Sequence, residues 1–347
     1  MKYKLLGKSG LRVSEICLGT MTFGEEWGWG ANYDESKKLF FTYLEQGGNF
    51  IDTANRYTEG TSEKFLGEFI KESKQRNEIV LATKYSLITD RSSGINQSGN
   101  HKKNMVQSVE DSLKRLQTDY IDIYYLHAWD FTTSMEEVLR AMDDLITQGK
   151  ILYIGISDTP AWIVSRANAI AELKNWTTFI ALQIEYSLMQ RSVERELIPM
   201  AEALEMSIVG WAPIAGGALT GKYLQQETKS NRLSEKSVRL SEAKQNISKE
   251  VVKIAQQMNC SPAQVAIAWV LQRGKNNIPI VGARNVSQLL DNLNASNITI
   301  SDEHMQYLEE ASKIELGFPH EFLKGEGVQD ILFSGKKGAL TLQNKRF

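Results

Sequence analysis

Cysteine is scarce. The two in 347 residues, Cys17 and Cys260, are far apart and form no CxxC pair. That usage fits a reducing cytosol, and no metal site is expected. An excess of one charge is also missing: 40 Lys and Arg against 42 Asp and Glu leave a net charge of −2. Nothing therefore draws the chain to nucleic acid or to an anionic membrane surface, and no basic cluster carries interleaved aromatics. No apolar run approaches the roughly 20 residues that a membrane span needs. The opening MKYKLLGKSGLRVSE lacks a long apolar core and does not read as a signal peptide. A cytoplasmic protein is expected, and the triplets NQS at 96 and NIT at 297 count as chance glycosylation matches.

The composition, 42% hydrophobic and 24% charged, is that of an ordinary globular protein. Length alone suggests two domains, but α/β barrels run long as one. Eight short apolar, β-branched runs recur: VSEICLGT (13–20), NFIDTA (49–54), EIVLATKY (78–85), YIDIYYLH (120–127), ILYIGIS (151–157), FIALQIEYS (179–187), SIVGWAP (207–213) and NIPIVGA (277–283). Near-continuous apolar runs suit strands buried on both faces, as in a parallel sheet. Stretches of helical period lie between them. DESKKLFFTYLEQGG opens on a cap candidate, Asp34, and closes on Gly47 and Gly48. SVERELIPMAEALE contains Pro199, which kinks or breaks a helix. A long polar stretch, about 222 to 245, precedes the helical SKEVVKIAQQMN.

Eight strands alternating with helices point to a single (β/α)8 TIM barrel spanning about residues 13–314. The rival, an open doubly wound sheet, normally carries a Gly-rich dinucleotide fingerprint, and no GxGxxG follows the first run. KYKLLGKSGLRV alternates around a glycine turn and reads as an N-terminal hairpin outside the barrel. The C-terminal tail, 315–347, shows little periodicity and is expected to pack over a face of the domain.

Barrel enzymes gather their chemistry at the C-terminal ends of the strands. The second run ends in Asp52, with Tyr57 in the loop after it; the third ends near Lys84 and the fourth at His127. Each has a bland alternative: a turn-forming Asp, a solvated Lys, a hydrogen-bonded core His. Together on one rim they make coherent chemistry. A tyrosine titrates near 10, too high for easy proton transfer, and a nearby ammonium lowers that value. Asp52 could hold Lys84 charged, His127 could orient a carbonyl and share the proton, and Tyr57 could act as general acid or base.

At these residues the sequence resembles the aldo-keto reductase superfamily, whose Asp-Tyr-Lys-His tetrad matches Asp52, Tyr57, Lys84 and His127 and whose D-T-A-x-x-Y block resembles DTANRY. The likeness runs from about residue 3 to 320. It implies a barrel that binds NAD(P)H without a Rossmann domain and moves hydride between nicotinamide and an aldehyde or ketone. It further implies that Ser157, Gln183 and the residue at 158 hold the nicotinamide carboxamide. Asp158 stands where Asn is usual, keeping an acceptor and losing an amide donor. Trp211 takes the place of the ring that stacks on nicotinamide, and Gly19, Thr20 and Met21 that of further cofactor contacts, as does Asp52. APIAGGALTGKY would cover the pyrophosphate through Pro213, Ile214, Ala215, Gly216, Gly217 and Leu219. Gly216 to Lys222 fits GxxxxGK, but Tyr223 follows where a P-loop needs Ser or Thr. VGARNVSQLLDNL resembles the adenosine-end motif, with Gly282 and Ala283 in the loop, Arg284 facing a 2′-phosphate, and Gln288 and Asn292 on adenine. NADPH is thus expected over NADH, which stays possible.

Trp27, Trp29 and Trp129 either wall a substrate pocket or pack their loops down. The leading reading is an NADPH-dependent reductase of small carbonyl compounds. A cofactor-bound sensor or partner subunit of an ion channel, as some relatives are, is the alternative; an unrelated barrel enzyme such as a sugar-phosphate isomerase is the third. A homo-oligomer is compatible with all three.

Overall fold

The computed structural model describes residues 1–90, 92, 94–224, 233–234 and 237–340. Strands β1 (Tyr3–Leu5) and β2 (Arg12–Ser14) form an antiparallel hairpin, pairing Tyr3 with Ser14 and Leu5 with Arg12. Eight parallel strands follow: β3 (Cys17–Gly19), β4 (Phe50–Asp52), β5 (Val80–Tyr85), β6 (Ile121–Leu126), β7 (Ile151–Ser157), β8 (Ala181–Glu185), β9 (Ser207–Trp211) and β10 (Asn277–Val281). They close in the order β10-β3-β4-β5-β6-β7-β8-β9, with helices between them. This is the expected (β/α)8 barrel. Among the described residues no helix is long and apolar enough to cross a membrane.

The first apolar run does not form one strand. The Ser14 hydroxyl bonds the phenol of Tyr43 at 2.6 Å, and the Glu15 amide donates to Lys2. These bonds turn the chain, so Arg12–Ser14 joins the hairpin and only Cys17–Gly19 enters the barrel. The hairpin seals the barrel floor: Leu6 and Val13 join the interior cluster of Cys17, Phe50, Val80, Ile123, Tyr125 and Ile278. Gly155 is needed inside, because a Cβ there would lie 2.2 Å from the Tyr125 ring. The outward strand faces pack against the amphipathic helices.

Helix boundaries differ from expectation in places. Asn32, not Asp34, caps the first helix, Tyr33–Glu45, accepting from the Glu35 amide. Asp34 lies in the first turn, where its charge suits the helix dipole. Pro199 falls in the first turn of Leu197–Ala203, where a missing N–H costs nothing, so the helix is cut short and not kinked. The helix expected from 248 begins at Glu242, inside the polar stretch; residues 225–232 and 235–236 of that stretch lie outside the described residues. The tail forms short helices His320–Lys324 and Glu326–Leu332. Among its described residues, 315–340, none is buried, so they do not pack over a face of the barrel. Phe318, Phe322, Ile331 and Leu332 stay exposed, and its bonds to the barrel are polar, from Arg195 to the Glu315 carbonyl and between His320 and Glu196. Helices of five and seven residues are too short to offer a continuous apolar stripe. Residues 341–347 lie outside the described residues.

The loop after β6 is tied to the one after β5 through Asp130. Its carboxylate accepts from the amides of Asn100 (2.7 Å), Thr132 (2.8 Å) and Thr133 (2.9 Å), and from the Thr133 hydroxyl. Burial alone would raise its pKa, but these bonds lower it to about 2. The stabilisation is therefore full above the unfolded carboxylate value and disappears as pH falls from about 4 toward 2. Replacing Asp130 with Ala should cost about 1–2 kcal/mol at pH 7. In urea unfolding the gap between wild type and variant should narrow below about pH 4 and close only below about pH 2; a gap independent of pH would contradict this.

Candidate active site

The barrel register delivers the rim residues. Asp52 pairs with Ala82 on β5, Lys84 pairs with Tyr125 on β6, and His127 follows directly after β6. Tyr57 begins a 3-10 turn, Tyr57–Gly60, after β4. Thr58 and Glu59 in that turn have φ of 48° and 53°, which side chains other than glycine rarely adopt. Bonds hold the strained pair. The Thr58 hydroxyl donates to the Phe23 carbonyl at 2.6 Å, while Glu59 accepts from Arg56 and from the Trp27 indole. Left-handed residues also follow β5 (Ser86), β6 (Phe131), β7 (Asp158) and β9 (Ala212), so backbone strain gathers at this rim.

Lys84 is fully buried, and its ammonium has three donors and three acceptors: Asp52 Oδ2 at 2.6 Å, the Thr53 carbonyl at 2.8 Å and Tyr57 Oη at 3.1 Å. Burial works to lower the Lys84 pKa, yet Asp52 and Tyr57 outweigh it and raise the value above the ordinary one. The other oxygen of Asp52 accepts from Gln183 Nε2 at 2.8 Å. Gln183, read from sequence as a carboxamide contact, thus also grips the acid. For Tyr57 burial dominates and pushes the pKa up, against the downward pull of Lys84. The lowered phenol pKa expected from sequence is not what the site shows: Tyr57 rests as a neutral phenol. Because its oxygen accepts from Lys84, its own proton is left to point elsewhere.

The His127 ring stands edge-on to Tyr57, centroids 5.9 Å apart. Burial, reinforced by Lys84, lowers the His127 pKa well below the ordinary value, so the ring is neutral. Its Nδ1 is buried with no partner among the described residues. A buried N–H left orphaned is rarer than an unsatisfied acceptor, which assigns the proton to Nε2.

A cavity of about 430 Å³ opens over these groups. Its walls include Trp27, Arg56, Tyr57, Leu87, His127, Asp158, Gln183 and Trp211. Gly19, Met21, Asp52, Ser157, Pro213, Ile214, Gly216, Gly282 and Asn292 line it as well. A second cavity of about 290 Å³ is walled by Gly217, Lys222, Ala283, Arg284, Gln288 and Asp291, and shares Thr22, Ile214, Gly216, Gly282 and Asn292 with the first. Thr20, Ala215 and Leu219 are buried behind these walls. The turn at Ile214 to Leu219 closes on itself: the amides of Ala215, Gly217 and Leu219 donate to Ala212 and Ile214 carbonyls. Gly216 and Gly217, at φ of 67° and 93°, make that turn possible. The Gln288 side chain accepts from the Arg284 amide, and Asn292 donates to the Gly282 carbonyl.

Trp27 reaches the catalytic end, its ring 6.4 Å from that of Tyr57. Trp29 lines the second cavity and not the first. Trp129 lines neither and packs against Phe131 at 6.5 Å. Sequence reasoning missed Arg56, Leu87 and Arg239 among the walls. Arg56 was legible, since it directly precedes Tyr57; Arg239 comes from the polar stretch, which carries no signal of where it folds.

Replacing Lys84 with Met should leave the buried Asp52 carboxylate without its cation and cost about 3–5 kcal/mol in urea unfolding at pH 7. Adding Asp52→Asn should recover much of that loss. An equal or larger loss in the double variant would show that the two charges are not coupled.

The sequence model of the Aldo/keto reductase family matches residues 15–313. The chain is 38% identical over 328 residues to the norsolorinic acid reductase of Aspergillus flavus, covering 92% of this chain and 83% of that one. It is 39% identical over 336 residues to the aryl-alcohol dehydrogenase [NADP(+)] of Phanerodontia chrysosporium, covering 92% and 87%. With norsolorinic acid reductase B of Dothistroma septosporum the identity is 39% over 352 residues, covering 97% and 87%. The barrel, the rim and these likenesses agree: the chain belongs to the aldo/keto reductase family.

Proposed function

We propose that this protein is an NADP(H)-dependent reductase of aromatic aldehydes or ketones, working reversibly as an aryl-alcohol dehydrogenase. The observation that carries the reading is the neutral Tyr57 phenol, accepting from Lys84 while lining the cavity. When bound, a reduced nicotinamide supplies hydride. Tyr57 gives its proton to the carbonyl oxygen in reduction and takes it back in oxidation. His127 donates from Nε2 to the same oxygen and orients it. Lys84, held charged by Asp52, stabilises the phenolate that the proton leaves behind. Trp27 and Leu87 offer an apolar wall suited to an aryl ring, which agrees with the substrate class in the aryl-alcohol dehydrogenase name.

The two adjoining cavities fit an extended dinucleotide. Ser157, Gln183 and Trp211 would hold the nicotinamide end, and Arg284 with Lys222 would meet a 2′-phosphate by charge-assisted bonds. NADPH should quench tryptophan fluorescence at lower concentration than NADH, and Arg284→Ala should narrow that preference. Tyr57→Phe should still bind NADPH while losing about a hundredfold to ten-thousandfold of its turnover on a panel of aryl aldehydes. Retained turnover would remove Tyr57 from its role.

A further inference from the structure

Among the described residues, charged side chains around the main cavity come in ion pairs, with one exception. Lys84 pairs with Asp52, Arg56 with Glu59 and Arg239 with Glu185. Asp158 also lines the cavity, and among the described residues no Lys, Arg or His forms an ion pair with it. Its contact is a long hydrogen bond, 3.4 Å, from the Trp211 indole to Oδ1. Asp158 is an exposed residue, so its carboxylate stays open to the cavity. The backbone fixes this arrangement: Asp158 takes φ of 39°, its amide donates to Gln183, and its carbonyl accepts from Trp129. A carboxylate without an ion-pair partner among the described residues, reached only at a distance by the charge of Lys84, therefore stands in the wall between Ser157 and Trp211.

We infer that Asp158 makes this site favour the oxidised, cationic nicotinamide over the reduced, neutral one, and so biases bound reactants toward carbonyl reduction. The inference rests on the cofactor reading above. Both redox forms share their shape and their phosphates, so most of the cavity treats them alike. A fixed negative charge at the ring end does not, because only the oxidised ring carries a compensating positive charge. Asn at this position would keep the side chain's size and its acceptor oxygen, and would remove the charge. The cost of the design is slower release of the oxidised cofactor after reduction.

The test compares wild type with Asp158→Asn at about pH 8, because partial burial raises the Asp158 pKa above the ordinary carboxylate value. Dissociation constants are measured by tryptophan quenching or calorimetry for NADP⁺, NADPH and 2′-phospho-ADP-ribose, which lacks the nicotinamide. The expected result is a rise of about tenfold in the NADP⁺-to-NADPH ratio of dissociation constants, consistent with one partly screened charge. Binding of 2′-phospho-ADP-ribose should not change. A ratio unchanged within about twofold would overturn the inference, as would equal weakening of all three ligands, which would mean that the substitution distorts the site. If wild type binds neither NADP⁺ nor NADPH, the cofactor reading itself fails.

Discussion

The active rim depends on one buried ammonium. Lys84 has no contact with solvent, and each of its three hydrogens is committed to a different strand-end group. Such a cation is tolerable only with an anion beside it, so Asp52 must also lie inside the barrel mouth, and Gln183 must occupy the oxygen that Lys84 does not reach. Three strands, β4, β5 and β8, are thereby locked to a common height. Tyr57 completes the set, and its place is secured by a left-handed turn that only a network of bonds can hold. The strain after Tyr57 and the charge beneath it position one phenolic oxygen.

The same interior decides which protons are present. Burial outweighs the ammonium at Tyr57 and keeps a proton on the phenol; at His127 burial and Lys84 act together and keep a proton off the ring. The two groups are therefore both neutral, and both can donate toward one oxygen. Asp158 adds a carboxylate with no ion-pair partner among the described residues. The site thus holds two neutral rings, Tyr57 and His127, over the Lys84–Asp52 ion pair, with that carboxylate at the other wall.

The barrel was legible because eight buried parallel strands leave eight β-branched runs, and a buried strand cannot hide that composition. The run at 13–20 misled because the bonds of Ser14 and Glu15, which turn the chain, are tertiary and leave no mark on hydropathy. The helix from Glu242 was read too late, since its first residues face outward and only Ile247 and Ser248 begin the buried stripe. Asp52, Tyr57, Lys84 and His127 could be placed on one rim because a strand's end dictates where its last side chain stands. Loop residues obey no such rule. Trp27, Trp29 and Trp129 look equivalent in sequence and end in three different surroundings. The sign of the Tyr57 shift was also beyond reach, because it turns on how deeply the phenol is enclosed.

The proposed proton donor is a neutral Tyr57 phenol, enclosed beside Lys84. The most direct measurement is kcat/KM for reduction of an aryl aldehyde as a function of pH. With Tyr57 as the donor, the rate should stay level through neutrality and fall only in the alkaline range, near or above about pH 10, as the phenol ionises. A fall with its midpoint near about pH 6.5 would contradict it, because the proton would then come from an imidazolium at His127.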